Sequence, residues 1–174
     1  MALSVCLLAD SASDFALRAL WRRLEDAGIG TLLSHTHGHH VPHLTFASLL
    51  DYDLAQVRTA VAGLPDAGPT TLPFDALGMF RRSRCWLAPA ASSDLARRQE
   101  AVVRAIRTTP AELHRNYEPG SWTPHLTLAP RLHLEELPVV ARLAFEVLPL
   151  LLTFDHAALI DTSTGVRHPL PHVV

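Results

Sequence analysis

With 174 residues, 48% of them hydrophobic and 18% charged, the chain has the composition of one folded domain with a sizeable core, which excludes a disordered segment. A net charge of −2 leaves no overall basic footprint for coating nucleic acid. All 15 basic residues are arginine and 11 residues are histidine, so an anionic ligand must be met by local guanidinium groups, imidazoles, hydroxyls or backbone amides.

The elements can be taken in chain order. Leu3 to Leu8 reads as a strand and Ser13 to Ala27 as a helix, with Phe15, Leu17, Leu20, Trp21 and Leu24 marking its apolar stripe, Asp10 or Ser11 its cap and Gly28 its stop. The histidine-rich stretch His35-Thr36-His37-Gly38-His39-His40 falls in a loop. His43 to Ser48 is a strand, Leu54 to Leu64 a helix ended by Pro65, and Thr71 to Phe80 and Cys85 to Pro89 are strands joined by the basic turn Arg81-Arg82-Ser83-Arg84. Ser92 to Thr108 is a helix, His125 to Ala129 a strand, Leu134 to Val147 a helix and Leu152 to Asp161 a strand. Val166 to Pro169 fits an edge strand because of its proline. The alternation predicts α/β or α+β layers.

The longest apolar runs, such as Leu148 to Leu152, fall far short of the ~20 residues that cross a bilayer. Ala2 to Ala9 has no basic leader and is closed by Asp10, so no signal peptide is expected. Cys6 and Cys85 are isolated in strand-like segments. They read as reduced, buried thiols in a cytoplasmic protein, with a disulfide as the alternative. A monomer is expected.

The second half repeats the element order of the first: strand, long helix, short histidine-bearing strand, helix, longer strand. Residues repeat with it. Pro42-His43-Leu44-Thr45-Phe46-Ala47 matches Pro124-His125-Leu126-Thr127-Leu128-Ala129, with the histidines 82 positions apart. A bare His-x-Thr is expected by chance about 0.8 times in such a chain, but Pro-His-Leu-Thr only about 0.01 times, so the two in-register copies indicate a duplicated unit within a single domain spanning 1–174. In a strand, alternate side chains share a face, so His43 pairs with Thr45 and His125 with Thr127, while Leu44, Phe46, Leu126 and Leu128 face the core. If the halves are related by a pseudo-two-fold axis, two imidazoles and two hydroxyls meet across a cleft. In-line displacement at phosphorus needs a base on the entering oxygen and an acid on the leaving oxygen, and two histidines can fill both roles near neutral pH. Threonine hydroxyls can donate to the non-bridging oxygens.

These paired motifs at half-chain spacing resemble those of the two-histidine (2H) phosphoesterases, and among them the 2′-5′ RNA ligase or RNA 2′,3′-cyclic phosphodiesterase branch. The resemblance implies an α+β, bilobal, duplicated fold, with two antiparallel sheets lining a central cleft and helices outside. It implies hydrolysis of a 2′,3′-cyclic phosphate, at an RNA end or on a nucleotide, to a 2′-phosphomonoester without metal or other cofactor. Carried over residue by residue, His43 and His125 are the acid–base pair and Thr45 and Thr127 bind the phosphate. Many members carry an arginine at the position held here by Pro130, and Arg131 is the nearest substitute. Trp122, just before the second motif, is a candidate to stack on a base, and His40 a candidate to touch substrate from the loop.

Two other readings compete. The His35 to His40 stretch resembles the His-x-His-x-Asp-His signature of metallo-β-lactamase-fold hydrolases, with His39 where aspartate belongs, and would make the protein a metal-dependent hydrolase. Alternatively, the cleft binds nucleotides or RNA ends without turnover. ATP-dependent ligation is excluded as a route, because its nucleophilic lysine has no counterpart in a chain without lysine. Arg81, Arg82 and Arg84 read as a solvated hairpin turn, with guidance of a phosphate chain as the alternative.

Overall fold

The structure, a computed structural model, describes residues 2–90 and 92–174. The strands are β1 (Leu3–Ala9), β2 (His43–Asp51), β3 (Thr70–Phe80), β4 (Arg84–Pro89), β5 (Glu112–Leu113), β6 (Leu126–Ala129), β7 (Leu150–Asp161) and β8 (Arg167–Pro169). The helices are α1 (Ser11–Asp26), α2 (Leu54–Ala62), α3 (Ser93–Ile106) and α4 (Leu137–Phe145), with single 3-10 turns at Arg115–Tyr117 and Leu134–Glu136. The α+β class follows as expected.

The Asp10 carboxylate accepts from the Ser13 amide at 2.7 Å and starts α1, and Gly28 follows its last turn with φ +85°. The buried face of α1 is Ser13, Leu17, Leu20, Trp21 and Leu24. Phe15 does not join that stripe and is 71% exposed. Residues two apart on a helix point about 200° apart, so Phe15 cannot share a face with Leu17. The single helix expected over Leu134 to Val147 is a 3-10 turn running into α4, with a proline in the first turn of α4. The edge strand β8 pairs with β7 and ends at Pro169, in keeping with an edge position.

All pairings are antiparallel, and the strand order is β5-β2-β1-β7-β3-β4-β6, with β8 on the flank of β7. The two sheets expected from the duplication are therefore joined into one hydrogen-bonded sheet. The join is local. Residues Thr70–Phe74 of β3 pair with Leu150–Phe154 of β7; beyond this stretch β3 pairs with β4, and β7 pairs with β1. Each long strand thus starts in a shared seam and continues into its own half. The order from β2 to β6 also reads symmetrically under exchange of β1 with β4, β2 with β6 and β3 with β7.

The helices bind the halves together. Trp21 of α1, fully buried, donates its indole N–H to the Thr127 carbonyl of β6 at 3.2 Å. Gln99 of α3, 1% exposed, donates to the Phe46 carbonyl of β2 at 3.1 Å. Each half's long helix therefore lies behind the other half's motif strand. One continuous core, including Leu7, Leu24, Leu44, Phe46, Leu87, Leu126 and Phe154, fills the space between sheet and helices. Cys6 and Cys85 are both buried and free, as read from the sequence. Among the described residues, no helix is long and apolar enough to cross a membrane.

Candidate active site

Both motifs adopt the alternation their sequences predict. Leu44, Phe46, Leu126 and Leu128 are fully buried, while His43, His125 and Thr127 remain partly exposed on the opposite face. Thr45 is more enclosed. It sits opposite Cys6 in the β1–β2 register, with its hydroxyl 3.6 Å from the thiol.

The two histidines are held by the same bond. His43 Nδ1 lies 2.6 Å from the Val41 carbonyl, and His125 Nδ1 lies 2.8 Å from the Thr123 carbonyl, in each case two residues upstream. A carbonyl can only accept, so Nδ1 carries the proton in both rings and Nε2 is the free lone pair of the neutral form. Burial, and then the positive charge of Arg84, hold both imidazoles below the ordinary histidine range, His125 at about 4; His125 is lowered further by the charge of His43. Both are therefore neutral bases at pH 7.

His125 opens on a cleft of about 570 Å³ whose wall includes Phe80, Arg84, Tyr117 and Trp122. The His125 ring meets Phe80 edge-on at 4.9 Å and lies 5.9 Å from Trp86, and Phe80 and Trp86 are 5.0 Å apart. Gly78 is required beneath Trp86: a Cβ there would fall 2.2 Å from the indole ring. The Tyr117 phenol is pushed up to about 12 by burial, with Arg84 and the Thr45 hydroxyl acting against that rise. Tyr117 and Arg115 stand on the 3-10 turn, which Gln99 fastens to β2 by a second bond, to the Tyr117 carbonyl at 2.7 Å.

The remaining sequence candidates are distributed as follows. Trp122 lines the cleft, but its indole N–H donates to the Thr45 carbonyl at 3.0 Å and its ring meets Phe46 edge-to-face at 5.7 Å. Arg131 is exposed, and the imidazole its charge lowers is His35 rather than either motif histidine. His40 is held at about 4 by burial and by the charges of His37 and His43, and its Nε2 lies 2.9 Å from the Thr36 hydroxyl.

Among the loop imidazoles, His35 stacks on His40 with centroids 5.9 Å apart and His37 on His39 at 5.8 Å. His37 and His40 have centroids 4.2 Å apart, and His37 Nδ1 accepts from the His39 amide at 3.0 Å. Among the described residues, no group of three His, Cys, Asp or Glu side chains is arranged to hold a metal ion.

The sequence did not single out Phe80, Trp86 or Gln99. The alternation of Cys85 and Leu87 with Arg84 and Trp86 is the one local signal that could have placed the latter pair on the cleft face.

Comparison with known proteins adds the following. A family model described as the 2′-5′ RNA ligase superfamily matches residues 10–166. A search of curated proteins finds no match. Among solved structures, a protein of Thermus thermophilus superposes with a TM-score of 0.64 at 15% identity, covering 99% of each chain. A crystal structure of a phosphoesterase gives 0.60 at 16% identity, covering 97% of this chain and 94% of the other. Escherichia coli LigT complexed with 3′-AMP gives 0.58 at 16% identity, covering 97% and 93%. At these identities the structural likeness carries the fold.

Proposed function

Because the chain belongs to the 2′-5′ RNA ligase superfamily of 2H phosphoesterases, we propose that its cleft houses a metal-independent phosphodiesterase, which hydrolyses a 2′,3′-cyclic phosphate on an RNA end or nucleotide to a 2′-phosphomonoester. The observation that carries this reading is the identical anchoring of His43 and His125 through Nδ1, which leaves two Nε2 atoms for proton transfer. The complex of Escherichia coli LigT with 3′-AMP supports a nucleotide-like ligand.

In the proposed reaction one Nε2 takes a proton from water as the water oxygen bonds to phosphorus. The bond from phosphorus to the ribose 3′ oxygen breaks, and the other histidine, protonated at Nε2, gives its proton to that oxygen. Thr45 and Thr127 donate hydroxyl hydrogen bonds to the non-bridging oxygens. Both imidazoles are neutral at pH 7, so the anionic phosphate must itself draw a proton onto the acid histidine by raising its pKa on binding. The substrate thereby creates the acid that it needs.

The test is turnover of 2′,3′-cyclic AMP, a cyclic-phosphate oligoribonucleotide and a 2′-5′ dinucleotide in the presence of a chelator. The expected result is a 2′-phosphate product from a cyclic substrate, with His43→Ala and His125→Ala each about 10²- to 10⁴-fold slower. Binding of all three without turnover would overturn the catalytic reading in favour of a binder. Activity abolished by the chelator would overturn it in favour of a metal enzyme.

A further inference from the structure

We propose that Arg84 is the cation that holds the phosphate between His43 and His125. The proposal rests on the phosphodiesterase reading above and adds to it a residue that the motifs do not contain. In β4, Cys85, Leu87 and Pro89 point into the core, which leaves Arg84 and Trp86 on the opposite face. That face is the one His125 occupies, since its ring lies against Trp86. Arg84 lines the same cleft as His125.

The strand pairing explains how Arg84 comes to stand there. Cys85 faces Ala129 across the β4–β6 ladder, so Arg84 is the next residue outward on one strand and Pro130 the next on the other. A further bond, from the Leu132 amide to the Ser83 carbonyl at 2.7 Å, keeps the two segments together. Ser83 adopts φ +69°, in the left-handed region that a non-glycine residue enters at a cost, and this conformation closes the turn immediately before Arg84.

Arg84 is also an available charge. Among the described residues it makes no ion pair, whereas Arg18, Arg23, Arg97, Arg98, Arg107 and Arg142 each have a carboxylate partner. The positive charge of Arg84 acts on His43 and His125 alike, as well as on His35 and Tyr117. That of Arg131 reaches His35. A guanidinium in the cleft wall beside His125 can stabilise the negative charge that builds on the non-bridging oxygens as water adds to phosphorus, and it does so without taking part in proton transfer.

The experiment compares Arg84→Gln, Arg84→Lys, Arg131→Gln and the double variant Arg84→Gln/Pro130→Arg on 2′,3′-cyclic AMP, with circular dichroism melts to confirm folding. Arg84→Gln should lower kcat/KM by about 100-fold or more, with the smaller share of the loss in KM, and Arg84→Lys should retain an intermediate rate. Arg131→Gln should cost several-fold at most. The double variant places a guanidinium across the strand pair from position 84 and should recover about tenfold over Arg84→Gln, a gain that a merely structural role for Arg84 would not produce. Near-native kcat/KM in Arg84→Gln, or a larger loss in Arg131→Gln, overturns the proposal. If the wild-type protein turns over no cyclic substrate, the phosphodiesterase reading falls separately. Titration with 2′-AMP then decides for Arg84: affinity weakened about tenfold or more in Arg84→Gln supports a phosphate-holding cation, and unchanged affinity overturns it.

Discussion

The indole N–H of Trp122, just ahead of the second motif, donates to the carbonyl of Thr45 inside the first motif at 3.0 Å. Trp21, from the other half, donates in the same way to the Thr127 carbonyl at 3.2 Å. Each motif threonine is therefore fixed at its backbone by a tryptophan from the opposite half. Trp122→Phe keeps an aromatic ring against Phe46 but orphans the Thr45 carbonyl, and should cost about 1 kcal/mol of stability. Trp21→Phe, in a fully enclosed site, should cost more, about 2–3 kcal/mol, because a cavity is added to the lost bond. Urea denaturation of both variants checks the order. Equal or reversed costs would show that the enclosed Trp21 site adds no cavity term to the lost bond.

The depressed histidines set the pH dependence of activity. With both imidazoles of the free protein below their ordinary range, and His125 at about 4, the state with one proton shared between them is populated only in acid. The kcat/KM profile reports free-enzyme ionisations and should therefore be bell-shaped, with its maximum below pH 6.5. In the bound complex the anionic phosphate raises the acid histidine, so the kcat maximum should lie at higher pH than that of kcat/KM. A kcat/KM maximum above pH 7, or coincident profiles, contradicts this account.

Stability follows the same groups. His125 and His40 both stand at about 4 when folded, against about 6.5 when unfolded, so between those values the unfolded chain binds more protons. Their stabilising contribution is complete above pH 6.5 and is lost as pH falls toward 4. Each should contribute on the order of 1–2 kcal/mol of destabilisation between pH 7 and pH 5, the smaller figure applying to the more open His40. Urea midpoints measured across that range should fall with acidification, and the fall should shrink in His125→Gln. A flat profile in the wild-type protein would rule out both depressed imidazoles.

Much of this arrangement was legible in the sequence, and what was not has a common physical origin. The long elements have strong hydrophobic periods, so β1, α1, β2, β3 and α3 follow from local pattern alone. The duplicated Pro-His-Leu-Thr marked the strands that carry His43 and His125, because chance could not supply it twice in register. Pairing between β3 and β7 joins residues about eighty apart, and no local pattern states whether two half-sheets fuse along such a seam. The two-residue β5 exists only because β2 offers it an edge. Arg84 reads as the end of a basic turn until the β4–β6 register places it next to the second motif. Arg115 and Tyr117 reach the cleft through the Gln99 bonds, a contact made from a helix between the two motifs in sequence.

Gly78 offers a test of how the cleft wall holds His125. A methyl group there would collide with the Trp86 ring, and Trp86 in turn packs against Phe80 and His125. The β3–β4 hairpin cannot simply move away, since Gly78 and Trp86 are direct partners in its ladder. Gly78→Ala should therefore lose about 1–3 kcal/mol through overpacking. It should also lower kcat more than it raises KM, because His125 is displaced while the arginines stay in place. Melting curves and steady-state kinetics together check it. A variant of wild-type stability would show that Trp86 can swing clear.

The wall of the cleft carries three further exposed cations, Arg81, Arg82 and Arg115, and among the described residues its lining contains no aspartate or glutamate. In a chain with a net charge of −2, such a local excess points to a ligand with phosphates beyond the one at the histidines. An oligoribonucleotide ending in a cyclic phosphate would lay its upstream phosphates along these arginines, whereas a cyclic mononucleotide has none to offer. The triple variant Arg81→Gln/Arg82→Gln/Arg115→Gln should therefore raise KM more for the oligonucleotide than for the mononucleotide. The wild-type log KM for the oligonucleotide should rise with log salt, and the triple variant should lose about 0.7 from that slope for each phosphate contact removed. An oligonucleotide slope unchanged by the three substitutions would leave the rim arginines without a role in binding and would favour a small nucleotide as the substrate.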